Sequence, residues 1–162
     1  VGEELKAVPS FDQVDTSQPM AAEKDVLSKL KKVFLMVGGR AAQILGAKID
    51  GEQEIMMNLA DIMIEIYAAE SAVLRTEKLI SQRGVESTRI QQAATQVYLF
   101  EAVEKIQTAG KEAINSFLSG DEQKVLLMGL KRFTKMEAVN VKELRREIAD
   151  ALIAKGKYLF FQ

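Results

Sequence analysis

Four glutamates on long helical stretches, Glu65, Glu70, Glu101 and Glu104, are the side chains whose type and spacing come nearest to acid-base chemistry. Two carboxylates turned inward could divide proton removal and delivery between them. Helical spacing also sets Glu70 near Arg75 and Glu101 near Lys105, so the four read as a solvated charged face and no catalytic pair is assigned. The chain has no His and no Cys, which removes the usual ligands of zinc, copper and iron-sulfur centres and every Ser-His or Cys-His nucleophile pair. A di-iron carboxylate bundle is excluded for the same reason, because it needs Glu-x-x-His on two helices. The expected site list is therefore empty: no catalytic, cofactor-binding or metal-ligating residue.

Other clusters yield to plainer readings. Met56, Met57, Met63, Met128 and Met136 could line an adaptable groove, but their interleaving with apolar helix positions assigns them to core filling in a chain without Trp. Lys29-Lys31-Lys32, Lys131-Arg132-Lys135 and Arg145-Arg146 could meet an acidic partner or a membrane surface, yet neighbouring acids dilute each group, which makes them polar helix faces. Gly38-Gly39-Arg40 lacks the glycine spacing and Lys-Ser/Thr pair of a phosphate-binding loop.

The elements that carry these residues follow from periodicity and breakers. The 162 residues, 48% apolar and 28% charged, fit one soluble domain, and a net charge of −1 gives no general pull toward nucleic acid. Both prolines, Pro9 and Pro19, lie near the start, so residues 1–18 read as a lead-in and 19–162 as one helical domain. A first helix is predicted from about Met20 to Ala47 on the stripe Val26, Leu30, Val33, Val37, Ala41 and Ile44, with Gly38-Gly39 a kink or a close contact. Asp50 and Gln53 resemble a capping box for a second helix carrying Ile55, Leu59, Ile62, Ile66, Ala69, Val73 and Ile80 and ending at Gly84. A third runs from about Ser87 on Val97, Leu99, Phe100, Val103, Ile106, Gly110, Ile114 and Phe117, and Ser119 with Glu122 can cap a shorter fourth, around Asp121 to Met136. Asn140 and Glu143 open a fifth on Val141, Leu144, Ile148 and Leu152, closed by Gly156. Short connections after Gly84 and Gly120 demand antiparallel neighbours, so the expected fold is all-α, an up-and-down bundle of about five helices. The absence of cysteine and of an apolar run near the roughly 18 residues of a membrane span suits a cytoplasmic protein.

Two segments also carry a resemblance. Leu59-Ala60-Asp61-Ile62-Met63-Ile64-Glu65-Ile66-Tyr67-Ala68-Ala69-Glu70-Ser71-Ala72-Val73-Leu74-Arg75 resembles the leucine-alanine-aspartate helix in the C-terminal bundle of acyl-CoA dehydrogenases, and Ala94-Thr95-Gln96-Val97-Tyr98-Leu99-Phe100-Glu101-Ala102 is similar to the helix after it. With Glu52-Gln53 ahead of them, the whole is most similar to the extra C-terminal domain of very-long-chain-type enzymes of that family, including bacterial ones. The family's Gly-Gly-x-Gly-Tyr turn and catalytic Tyr-Glu-Gly-Thr segment have no counterpart: the corresponding stretch is Gly110-Lys111-Glu112-Ala113-Ile114-Asn115-Ser116-Phe117. The resemblance therefore implies a non-catalytic second copy of the bundle. It implies FAD in the parent and none in this chain, a catalytic core upstream of Val1 as partner, a homodimeric parent, and membrane-surface association near residues 1–18. The rival reading is an independent helical module that binds a protein or lipid through its basic faces.

Overall fold

The computed structural model describes residues 18–160, and among these all regular structure is helical. Five α-helices follow in order: α1 (Ala21–Leu45), α2 (Gln53–Arg83), α3 (Arg89–Phe117), α4 (Gly120–Phe133) and α5 (Val141–Lys155), with 3-10 turns at Gly46–Gly51 and Glu86–Thr88. The expected up-and-down bundle is the observed fold; the lead-in assigned to residues 1–18 lies, but for Gln18, outside the described residues.

Cross-helix pairs fix the directions. Lys24 with Glu77 and Lys31 with Glu70 join α1 to α2, and the rise in one number against the fall in the other makes the two antiparallel. Tyr98 and Lys105 both reach Glu65, while Thr95 meets Thr76, so α3 runs antiparallel to α2 as well. The sequence stripes meet along this three-helix seam: Leu30, Val33, Val37 and Ala41 from α1, the whole α2 series from Ile55 to Ile80, and Leu99, Val103, Ile106 and Ile114 from α3 are all buried. Val26, Val97, Phe100 and Phe117 are half-buried, and Ile44 is 42% exposed where α1 gives way to the 3-10 turn. The helix α4 lies against both α1 and α3 with Leu126, Leu130 and Phe133 buried. By contrast α5 leans on α3 and buries only Leu144 fully, although Arg89–Glu147 and Arg145–Glu101 pairs flank the contact.

Two glycines have structural reasons. Gly84 ends α2 at φ 83, a left-handed conformation open to glycine without steric cost. Gly110 allows α3 and α4 to close up, since a Cβ there would stand 2.9 Å from Cδ1 of Leu130. At the Gly38-Gly39 pair the close-contact reading holds for Gly38, whose Cβ position is 3.5 Å from Leu59, while α1 continues unbroken through both. Of the expected caps, Asn140 accepts the amide of Glu143 and Gly156 closes α5 at φ 60. Asp50 lies in the 3-10 turn, and neither Glu52 nor Ser119 caps with its side chain; Glu122 pairs with Arg40 of α1 instead.

Candidate functional site

The polar cluster best set for chemistry sits between α2 and α3. Glu65 is only 14% exposed at its side chain; its Oε2 accepts from the Tyr98 hydroxyl at 2.9 Å and its Oε1 from the Lys105 ammonium at 2.7 Å. Helical register explains the meeting. Three residues after Ile62 and one before Ile66, Glu65 stands at the flank of the α2 seam, and Tyr98 and Lys105 stand seven residues, two turns, apart on the facing side of α3. A half-buried carboxylate loses hydration, and two charge-assisted hydrogen bonds replace it.

The electrostatics follow from that placement. Burial, then the hydrogen bond to Glu65, pushes the Tyr98 hydroxyl above its ordinary value. The hydrogen bond to Glu65 also raises the Lys105 ammonium. Both groups therefore hold protons in the folded chain that the unfolded chain releases first, so their stabilisation is complete below about pH 10 and is lost as pH rises beyond it. Tyr98→Phe should flatten this alkaline decline; a melting temperature that falls from pH 9 to pH 11 just as steeply in the variant, on an approximate scale of titration, would show that Tyr98 does not carry it.

What the cluster cannot do is equally plain. Both oxygens of Glu65 are engaged, leaving neither directed at a substrate as a general base requires. Glu70 pairs with Lys31 at 2.5 Å and Glu101 with Arg145 at 2.6 Å, each on another face, so only Glu65 and Glu104 share a groove. The expected Glu70–Arg75 and Glu101–Lys105 neighbours are thus replaced by partners on other helices, because α1 and α5 bring cations closer than the same helix does. Asp61 and Glu112 line that groove too. Among the described residues, no three acids converge as metal ligands would. Nor do the groove residues fit FAD: its pyrophosphate would face Asp61, Glu104 and Glu112, and the one ammonium present, Lys105, is already bound to Glu65.

Four residues of the basic groups are occupied as well. Lys29 pairs with Asp25 at 2.5 Å, Lys31 with Glu70, Arg145 with Glu101 and Arg146 with Glu143. Among the described residues, no helix is long and apolar enough to cross a membrane.

The methionines overturn the core-filling expectation. Met56, Met57, Met63 and Met128 are 45%, 66%, 53% and 66% exposed, and Met136 is half-buried; Met20 and Met36 are the methionines of the core. Interleaving with a buried stripe was the wrong signal, because residues interleaved with one helix face stand on the other. The usable signal was the scarcity of polar side chains in Ile55–Ala69, where Asn58, Asp61 and Glu65 are the exceptions and share one narrow flank. A second feature invisible in the pattern is the buried Thr76–Thr95 hydroxyl pair, 2.7 Å apart, which satisfies two polar groups inside the seam.

With this geometry in hand, comparisons place the chain. Residues 29–132 match the family model described as acyl-CoA dehydrogenase, C-terminal domain. A protein of Bacillus subtilis (strain 168) described as a probable acyl-CoA dehydrogenase is 38% identical over 136 residues, 84% of this chain and 23% of that protein. The crystal structure of a Bacillus anthracis acyl-CoA dehydrogenase complexed with FAD superposes with a TM-score of 0.89 at 37% identity, over 98% of this chain and 26% of that one. The chain thus spans about a quarter of the length of these relatives.

Proposed function

The chain belongs to the acyl-CoA dehydrogenase C-terminal domain family, and from that premise we propose that it is a non-catalytic helical domain of an FAD-dependent, very-long-chain-type acyl-CoA dehydrogenase of fatty-acid oxidation. The observation that carries the reading is the likeness of nearly the whole chain to one quarter of a dehydrogenase that holds FAD. In such a parent the flavin takes hydride as an acyl-CoA is oxidised at its α-β bond, and that chemistry belongs outside these residues. This chain would contribute a rigid bundle, residues 19–162, that packs on the catalytic core, with residues 1–18 as lead-in. A cytoplasmic homodimer, peripheral to the membrane through that lead-in, completes the proposal.

The rival reading, an independent module acting through its basic faces, loses support from the ion pairs that hold Lys29, Lys31, Arg145 and Arg146. Purification of the 162-residue chain and of the complete polypeptide that contains it tests the proposal. The chain alone should be colourless and inactive toward acyl-CoA with added FAD and an artificial acceptor, while the complete polypeptide should retain flavin through gel filtration and reduce the acceptor. Stoichiometric flavin on the chain alone would overturn the non-catalytic role; a complete polypeptide that neither holds flavin nor turns over would overturn the dehydrogenase.

A further inference from the structure

The longest regular element has two apolar faces. One is the buried seam from Ile55 to Ile80; the other carries Met56, Met63, Tyr67 and Leu74, with Met57 and Ile64 beside them, at 45% to 74% exposure. Steps of four and seven set Met56, Met63, Tyr67 and Leu74 on one line beside the seam, and Met57 and Ile64, seven apart, stand opposite it, so the six make one broad exposed surface over five turns of helix. Over Ile55–Ala69 the helix is apolar on all sides but one narrow flank, as a helix inside a larger body is, and a continuous exposed apolar surface marks an interface. We infer that the outward stripe of α2 is the face on which the rest of the parent polypeptide docks. The inference deepens the function proposed above and rests on it.

Three observations select that occupant. The relatives extend over roughly four times the length of this chain, so a body several times its size lies beyond these residues and needs a contact face. The charged flanks between helices are matched internally, α1 to α2 through Lys24–Glu77 and Lys31–Glu70, α3 to α5 through Arg89–Glu147 and Glu101–Arg145, so those pairs serve the bundle and the apolar surface of α2 is what remains for a partner. A second copy fits poorly: an antiparallel two-fold contact through α2 keeps each edge of the stripe beside its own image, and the edge formed by Asp61, Glu104 and Glu112 would then meet like charge. The complementary surface is apolar at its centre, with basic side chains along one edge.

Methionine oxidation by dilute peroxide, read by mass spectrometry on the complete polypeptide, tests this directly. Met57 and Met63 are expected to lose reactivity to the level of Met36, which the bundle core buries, and to recover the full rate when the polypeptide is unfolded in urea. If both oxidise in the native polypeptide at the unfolded rate, the stripe is bare and the inference fails. If protection disappears on dilution, a second copy covers the stripe and the inference also fails. The paired change Ile64→Lys with Tyr67→Lys alters only exposed positions, so Met36 should stay protected while Met57 and Met63 become reactive; continued protection of the two in this variant would mean that docking is not its cause. Flavin content read in the same samples separates the two ideas. A flavin-bearing polypeptide with reactive Met57 and Met63 sinks the docking face alone, and a flavin-free one with both protected sinks the dehydrogenase reading alone.

Discussion

Ile62→Asp is expected to unfold the bundle at neutral pH. Ile62 is fully buried in the first half of α2, between the turns of Leu59 and Ile66, within the core that the three long helices share. The change removes an apolar side chain from a close-packed seam and installs a carboxylate within an apolar cluster. The first loss is of the order of 2–5 kcal/mol for a large-to-small core change, and an unpaired buried ion adds several kcal/mol. The sum rivals the roughly 5–15 kcal/mol that holds a whole domain together.

The pH dependence identifies the mechanism. Burial raises the folded-state pKa of the new carboxyl above its unfolded value near 3.9, so the variant's deficit is smallest below about pH 4 and deepens as pH rises. Denaturant unfolding of both proteins at acid and neutral pH, compared as differences so that titration of shared groups cancels, reads this out. A variant that melts with the parent at pH 7, or whose deficit does not grow with pH across an approximate range of 4 to 7, would put Ile62 outside the core and the α2 register in error.

That register was legible because one signal, steps of three and four between apolar residues, is enough to place a helix face when the helix is long. On α2 every residue named for the inner stripe is buried. Glycines at the chain's turns were legible for the same local reason, as at Gly84 and Gly156. Caps were less so: Asn140 engages Glu143, yet Asp50 and Ser119 carry equally good local chemistry and do not cap, since a preceding 3-10 turn captures one and Glu122 is drawn to Arg40 across the bundle. Ion-pair partners were illegible at Glu70 and Glu101 because they depend on which helix comes near, a tertiary fact that no spacing along one helix contains. The same limit applies to Glu65, whose burial comes from the facing α3 side chains. The outward methionines show the converse error, in which apolar character alone was taken for burial. Apolar character fixes which positions avoid the polar flank, and which of them the bundle itself covers is decided by where α1 and α3 lie.

Phe133→Ala should lower stability by about 3–5 kcal/mol, which for a chain of this size is a fall in melting temperature on the order of 10 °C. The reasoning starts from how little else secures α4. The helix is 14 residues long, too short to be stable alone, and its hold on α1 and α3 rests on Leu126, Leu130 and Phe133. Phe133 is the largest of these, 5% exposed, at the final turn where Thr134 caps back onto Leu130. Met128 on the same helix is 66% exposed and makes the matched comparison: Met128→Ala should leave melting within about 0.5 kcal/mol of the parent. Calorimetry of both variants decides the case. Equal, small effects would show that α4 is held by its polar contacts, such as Arg40–Glu122, and not by its apolar face; but exposed ion pairs are typically worth less than about 1 kcal/mol, too little to anchor a helix whose apolar face has been cut away.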